Sequence, residues 1–270
     1  MLNEEADKLI SLKSDINALF NSPVLGYNSK DDIVYQFWAN RDSHEVYYFD
    51  PKTDYAPTTA ISSISWDDPN FQNIEGFGVW AAKCNFTMGP DGKMYSRMLG
   101  GNLVRIDVEN ARGENLTNGD LVGTKDGSAY GLVFDPQDEN VFYFSNNDKH
   151  CIYKYDLRTK ECACWAGQEG KSGYLDGPIG QAMFNKPGQM CVDSEGNIIL
   201  TDTENHCIRK ITMSTGYVST LAGKPQNSGY VNGSAEDAQF KKPLGICIDN
   251  DDVMYIGDSE NRAIRRLAVE

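Results

Sequence analysis

The feature that most constrains this chain is an internal repeat. The stretch from Ala222 to Arg265 matches, without a gap, an upstream stretch that begins at Ala166. Equivalent positions differ by 56 residues, since 258 − 202 = 56 for the pair Asp202 and Asp258. Self-similarity at a period of this size is typical of repeat architectures, in which each unit buries its apolar faces against its neighbours.

Weaker copies precede these two, and repeat units begin near residues 23, 80, 131, 187 and 243. Each has the pattern of a three- or four-stranded antiparallel meander with Gly, Pro and Asp in its turns. One such sheet leaves both faces exposed, and radial stacking around an axis buries them. The sequence therefore predicts an all-β fold, a single β-propeller domain over residues 1–270 with four-stranded blades. Five repeats are counted, with a six-bladed ring as the alternative, and the clearest are 165–221 and 221–270.

The two ends of the chain are connected in this interpretation. The last unit stops after its third strand, and in closed propellers the opposite terminus often supplies the missing one. Residues 8–13 are the candidate for that ring-closing strand. The segment 1–20 also has apolar residues at helical spacing, so a strand and a helix both stay open there.

Charge and hydropathy exclude some classes of partner. The chain has 25 Lys and Arg against 39 Asp and Glu, a formal net charge of −14. A chain this acidic repels phosphate backbones, so we expect no nucleic-acid partner. It contains no run of about 18 apolar residues, so we expect no membrane span. Its first residues are acidic where a signal peptide needs basic ones, and the oligomeric state is not determined by the sequence.

The residues of the two clear copies resemble a known family. The run from Gly188 through Asp193, Asp202 and Asn205 to Ile211 is similar to an NHL repeat, and the last copy is similar to another. The linker Leu-Ala-Gly…Gly-Tyr-x-x-Gly…Ala-x-Phe-x-x-Pro resembles a bacterial branch of that family. The resemblance implies a β-propeller, and it implies an extracytoplasmic or cell-surface location, often with an IPT/TIG-like domain ahead of the propeller.

One polar set recurs in both clear copies. An Asp ends the second strand, an Asn lies in the turn and an Arg lies in the third strand, so the Asp and the Arg can pair across the hairpin. A feature present in each good copy is usually what the repeat needs to fold. We therefore interpret the set as a structural hairpin clasp: Asp202, Asn205, Arg209, Asp258, Asn261 and Arg265.

The linkers into the inner strands are the candidate binding surface. Two Gly-Tyr-x-x-Gly loops present an aromatic and a polar side chain, and loops on a rigid scaffold are where propellers usually bind. The alternative is that these tyrosines pack between blades. Two tryptophans outside the repeat are candidates too, with burial in the core as their alternative. The candidate ligand-binding residues are Tyr174, Asp176, Tyr230, Asn232, Trp66 and Trp80.

The sulfur and imidazole groups give little indication of a metal. Four of the seven cysteines recur at equivalent positions and are predicted to be buried free thiols: Cys151, Cys207, Cys191 and Cys247. Cys162-Ala-Cys164 is too tightly spaced for a zinc knuckle. His150 and His206 fall at equivalent positions and are expected in exposed turns. No cofactor is predicted, although the pattern leaves room for calcium or zinc on the axis.

These observations favour a non-enzymatic binding or scaffold module that recognises a protein or glycan ligand through one propeller face. No nucleophile elbow, phosphate-binding loop or dinucleotide fingerprint is present. The alternative is a metal-dependent lyase or hydrolase acting in the central funnel.

Overall fold

The computed structural model describes strands 24–28, 33–39, 44–49, 57–61 and 65–66 by their backbone, and then residues 86–97, 102–107, 109–117 and 130–268. Residues 8–13 and Trp80 lie outside this described part. No helix within it is long and apolar enough to cross a membrane.

The described residues form five sheets in chain order, which we call the first to fifth blades. The first contains β1 (Val24–Asn28), β2 (Ile33–Ala39), β3 (His44–Phe49) and β4 (Pro57–Ile61). The second contains β5 (Ser65–Trp66), β6 (Phe86–Met88), β7 (Met94–Arg97), β8 (Leu103–Asp107) and β9 (Arg112–Asn115).

The remaining three blades cover the repeats that are clearest in sequence. The third contains β10 (Leu132–Phe134), β11 (Val141–Asn146), β12 (Cys151–Asp156) and β13 (Cys162–Gly167). The fourth contains β14 (Gly177–Pro178), β15 (Pro187–Val192), β16 (Ile198–Asp202), β17 (Cys207–Thr212) and β18 (Tyr217–Ala222). The fifth contains β19 (Pro243–Ile248), β20 (Met254–Asp258) and β21 (Ala263–Leu267).

The inner strands place these blades around an axis. β1 contacts β6, β6 contacts β10, β10 contacts β15, and β15 contacts β19. The prediction of an all-β propeller is therefore confirmed, and the five sheets correspond to the five repeats counted. Glycine permits the close approach of two inner strands, because a Cβ at Gly131 would lie 2.6 Å from the backbone nitrogen of Met190.

The apolar core lies between blades and not within them. One buried cluster joins Tyr95 and Leu103 of the second blade to Phe142 of the third. Two further clusters lie between the third and fourth blades and between the fourth and fifth. This is the burial that radial stacking of two-faced sheets predicts. It leaves the ends of the inner strands and the loops between blades to form surfaces.

Candidate functional site

A cavity of about 840 Å³ opens where the inner strands of the second to fifth blades end. Most of the residues that line it have apolar side chains, and among the described residues they come from all four of these strands. Met88, Leu132, Val192 and Ile248 are examples, one from each blade. The volume lies within the range of small-molecule and peptide-anchor pockets.

The rim of this axial cavity carries carboxylates. Asp135 and Glu139 lie in the turn after β10, and both line the cavity. Asp135 accepts a hydrogen bond of 2.7 Å from the Tyr143 hydroxyl, and burial together with this carboxylate raises the pKa of Tyr143. Glu139 is exposed. The site therefore combines an apolar interior with a negatively charged entrance.

Two thiols lie in the cavity wall at equivalent repeat positions. Cys191 of β15 is half-buried, and burial raises the pKa of its thiol to about 12. Cys247 of β19 is exposed. The expectation that all four recurring cysteines are buried is therefore wrong for these two, because the inner strands border an open axial cavity. It is right for Cys151 and Cys207.

The polar set of the fourth blade does more than close a hairpin. Asp202 accepts a bond of 2.6 Å from Arg209, and Asn205 donates to the same carboxylate at 2.8 Å. Arg209 also donates to the carbonyls of Met183 and Leu175 in the linker that precedes β15. Asp202 and Arg209 are both fully buried. The set, which we call the fourth-blade clasp, therefore ties two strands and a linker together.

The fifth blade repeats this geometry. Arg265 donates to Asp258 at 3.0 Å, and Asn261 donates to the same carboxylate at 2.8 Å. Arg265 also donates to the carbonyls of Gln239 and Val231 in its own linker. This fifth-blade clasp is slightly more open, with 8% of Arg265 exposed.

The candidate ligand-binding residues of the linkers contact these arginines. Asp176 accepts from Arg209 at 2.7 Å, and Asn232 accepts from Arg265 at 2.7 Å. The Tyr174 ring lies over the Arg209 guanidinium at 4.9 Å, and burial raises the pKa of that tyrosine. The structure thus brings the two predicted sets together into one arrangement per blade. A ligand role for them stays a prediction.

Tyr174 and Tyr230 differ in how far their side chains are exposed. The Tyr174 hydroxyl lies 2.8 Å from the Thr220 hydroxyl, and its side chain lines a cleft of about 460 Å³ with Lys224 and Pro225. Tyr230 lies over Arg265 at 4.8 Å and is 59% exposed. Trp66 belongs to a short strand that pairs with β9. A ligand role for Trp66 stays a prediction, and Trp80 lies outside the described residues.

The histidines hold neighbouring blades together. The Nδ1 atom of His150 accepts a hydrogen bond of 3.1 Å from the backbone N–H of Lys186. His206 accepts in the same way from Lys242 at 3.2 Å. Both lie in turns, as expected, but both are half-buried, so the expectation of full exposure is wrong. Each imidazole thus accepts a hydrogen bond from the residue just before the next inner strand. Burial lowers the pKa of His150.

Within the described part of the chain, no three or more His, Cys, Asp or Glu side chains are grouped so that they could hold a metal ion. The two carboxylates that line the cavity, Asp135 and Glu139, lie in one turn. Asp135 is also hydrogen-bonded to the Tyr143 hydroxyl at 2.7 Å. The geometry of the described residues therefore supplies apolar contact and negative charge at the axis, and not a ligand set.

Comparison with known proteins supports the repeat assignment. Residues 184–211 match the NHL repeat. This match covers β15, β16 and most of β17, the part of the chain that holds the fourth-blade clasp. The chain is also 30% identical over 152 residues to NHL repeat-containing protein 2 of Gallus gallus, which covers 56% of this chain. It spans only 19% of the length of that relative.

Two solved structures share the fold of this chain. An auxiliary nutrient binding protein from Bacteroides thetaiotaomicron superposes with a TM-score of 0.68 at 23% identity, covering 91% of this chain and 58% of that one. Virginiamycin B lyase from Staphylococcus aureus superposes with a TM-score of 0.53 at 14% identity, covering 92% of this chain and 70% of that one. Proteins that share this fold thus include a binding protein and an enzyme.

The axial cavity is the feature that sequence reasoning did not locate. Its walls come from inner-strand positions such as Met190 and Ile246, which look in the sequence like ordinary core residues. A signal was present in Cys191 and Cys247, since equivalent small residues on successive inner strands must lie at the same height along the axis. That pattern could have placed both next to a common space.

Proposed function

We propose that this propeller is a non-enzymatic binding module and that its ligand is a protein segment inserted into the axial cavity. The observation that carries the proposal is the cavity of about 840 Å³, which apolar residues of four inner strands line together with a few polar ones. A pocket of this kind accepts an apolar side chain as an anchor, and the charge at its rim selects the residues beside that anchor.

The rim charge and the wall chemistry favour a basic, apolar peptide over a glycan. Asp135 and Glu139 attract Lys or Arg flanking the anchor, and the net charge of −14 adds long-range attraction. Glycans are bound on flat aromatic side chains with polar groups around them. Phe134 is the one aromatic residue among the described residues of the wall. A glycan is therefore treated as an outcome of the test.

The test uses a fluorescein-labelled synthetic peptide with a Leu-Phe anchor between lysines, and a matched peptide with glutamates in place of the lysines. We expect saturable binding of the lysine peptide, measured by fluorescence anisotropy. Cys247→Trp fills the cavity from an exposed wall position and should reduce binding at least about tenfold, the loss of a hot-spot contact. Tyr217→Trp, on the exposed outer strand of the fourth blade, is the matched control.

Charge is tested separately. Glu139→Arg should weaken the lysine peptide and should do so less as salt is raised, because a rim charge acts through screened electrostatics. Glu236→Arg, exposed on the linker to the fifth blade, makes the same change away from the cavity. Equal binding to all four variants would contradict the cavity as the site. Binding of an oligosaccharide panel and of neither peptide would favour a glycan ligand.

The alternative, a metal-dependent lyase or hydrolase in the central funnel, is distinguished by elemental analysis. Purified protein is dialysed against metal-free buffer after incubation with zinc or calcium. Retention of one ion per chain would count against the binding module and in favour of the enzyme. We expect no stoichiometric ion to be retained.

A further inference from the structure

Two thiols of the third blade share one face. Cys151 begins β12 opposite Gly167, and Cys164 lies on β13 opposite Tyr153, with an irregularity in the register between Ile152 and Tyr153. Residues two apart on a strand point to the same face, and so do directly paired residues. Cys151, Tyr153 and Cys164 therefore all face the core between the second and third blades, where all three belong to the same apolar cluster.

The environments of the two thiols are complementary. Cys151 is fully buried, whereas Cys164 is half-buried and its Sγ lies 3.7 Å from the Gly167 carbonyl oxygen. A hydrogen bond between the two side chains raises the pKa of Cys151 and lowers the pKa of Cys164. Reactive cysteines combine a stabilised thiolate with partial access, and a nearby second thiol can resolve the oxidised sulfur.

The neighbouring cysteine provides a contrast on the same strand. Cys162 lies two residues before Cys164 and opposite Tyr155. Burial raises the pKa of Cys162 to about 12. The Cys162-Ala-Cys164 run therefore contains one thiol disposed to ionise and one that is not, although both face the same cluster.

The thiol pair is not a property of the repeat. The position equivalent to Cys151 in the fourth blade is Cys207, which is also buried. The position equivalent to Cys164 is Thr220, whose hydroxyl contacts Tyr174. The clasp, by contrast, recurs in both the fourth and the fifth blade. The pair is specific to the third blade, where the outer strand has exchanged a hydroxyl for a second thiol.

We propose that Cys151 and Cys164 form a redox modification site that small peroxides oxidise to a disulfide joining β12 and β13. The Cys164 thiolate attacks one peroxide oxygen, the O–O bond breaks, and the departing hydroxide takes a proton to form water. Cys164 is then a sulfenic acid. The Cys151 sulfur attacks it, the S–O bond breaks, and the Cys151 proton leaves with the hydroxide as a second water. Two thiols and one hydrogen peroxide thus give one disulfide and two waters.

The first experiment treats the reduced full chain with stoichiometric hydrogen peroxide, followed by intact mass analysis and non-reducing peptide mapping. We expect the loss of two hydrogens and a linked peptide pair that contains Cys151 and Cys164. Cys164→Ser should abolish the link. Cys162→Ser and Cys207→Ser are the matched controls and should retain it. A link between Cys162 and Cys164, or a sulfinic acid on Cys164 with no link, would overturn the proposal.

The second experiment needs no variant, so a misfolded mutant cannot obscure the result. Native protein is alkylated with limiting iodoacetamide at pH 7.5, and each cysteine is quantified by peptide mass spectrometry. Cys164 should react at least about tenfold faster than Cys162, since the thiolate is the reacting form. Equal rates at the two positions would contradict the proposed difference in ionisation.

Discussion

The fourth and fifth blades both contain a clasp, but the two clasps differ in the number of carboxylates that contact the arginine. In the fourth, Arg209 has carboxylates on both sides, at Asp202 and Asp176. In the fifth, the second carboxylate is replaced by the amide of Asn232. Arg209 is fully buried, whereas Arg265 retains some exposure. The comparison shows that the Asp–Arg pair and the linker carbonyls are the constant part of the clasp, while the outer acceptor varies.

The outer acceptor of the fourth blade has an additional role. Asp176 accepts from the backbone N–H of Thr220 at 3.1 Å, so it also binds the outer strand β18. Gly177 and Pro178 pair with that strand directly afterwards. In the described part of the fifth blade, Asn232 contacts the arginine alone. The fourth blade therefore couples clasp, linker and outer strand in one network.

The largest effect is expected from removing the arginine. Arg209→Met leaves the buried Asp202 carboxylate without its cation, and it removes one of the donors to each of two linker carbonyls. Breaking such a buried pair costs about 3–5 kcal/mol. Arg265→Met should cost clearly less, because water reaches that site. Urea unfolding of both variants against the wild type measures the difference, and an equal loss in both would show that burial does not rank the two clasps.

A pH dependence should distinguish the carboxylate of the fourth-blade clasp. Burial, opposed by Arg209, raises the pKa of Asp202 from 3.8 to about 6. Between these values the folded protein holds the proton that the unfolded chain has lost. The free energy of unfolding should therefore fall as the pH rises from 4 to 6, by up to about 3 kcal/mol for a shift of this size.

The measurement compares the wild type with Asp202→Asn, which has no titrating group at that position. Although the variant is less stable overall, the difference between the two free energies isolates the contribution of this carboxylate. We expect the wild type to lose stability relative to the variant as the pH rises through the window. A difference that does not change between pH 4 and 6 would contradict the raised pKa.

Whether a contact of this arrangement could be predicted from the sequence depends on how far apart its two residues are in the chain. The pairing of Asp202 with Arg209 is local, since strand spacing places the two on adjacent strands of one hairpin. The contacts of Arg209 with Leu175 and Asp176 join residues more than 30 positions apart, and no local pattern indicates them. The sequence accordingly presented the clasp and the linker as two separate sets, whereas the structure joins them.

The third blade gives a second example of an interaction that the sequence pattern does not predict. The residues equivalent to Asp202 and Arg209 there are Asn146 and Tyr153, so the charged clasp is absent from a blade with the same fold. Tyr153 instead stacks on Phe144, with ring centroids 5.4 Å apart. Periodicity predicted the strands of this blade well, because strand position depends on the apolar pattern. It could not predict which interaction fills an equivalent space.

Exchanging the outer acceptors sharpens the comparison of blades four and five. Asp176→Asn keeps an acceptor for Arg209 but removes a charge, and it weakens the bonds to Thr220. We expect a loss of about 1–2 kcal/mol, typical of hydrogen bonds that involve a charged group. Asn232→Asp supplies the second carboxylate to Arg265 and should stabilise by about 1 kcal/mol at low salt. Urea midpoints of the two single variants and the double variant test this. A stabilised Asp176→Asn variant or a destabilised Asn232→Asp variant would contradict it.

The smallest effect concerns the contact from the third blade to the fourth. His150 accepts the Lys186 N–H through Nδ1, and burial lowers the pKa of this imidazole. The folded protein therefore binds this proton less readily than the unfolded chain. The contribution of the contact should be complete above about pH 6.5 and should be lost as the pH falls through the lowered pKa. His150→Ala should cost about 1 kcal/mol at pH 7.5, the net value of one hydrogen bond, and less at pH 5.

Hydrogen exchange at the Lys186 amide reports the opening directly, with His206→Ala and the Lys242 amide as the matched pair. If exchange at Lys186 were unchanged in His150→Ala, the imidazole would not be what holds the two blades together at this point.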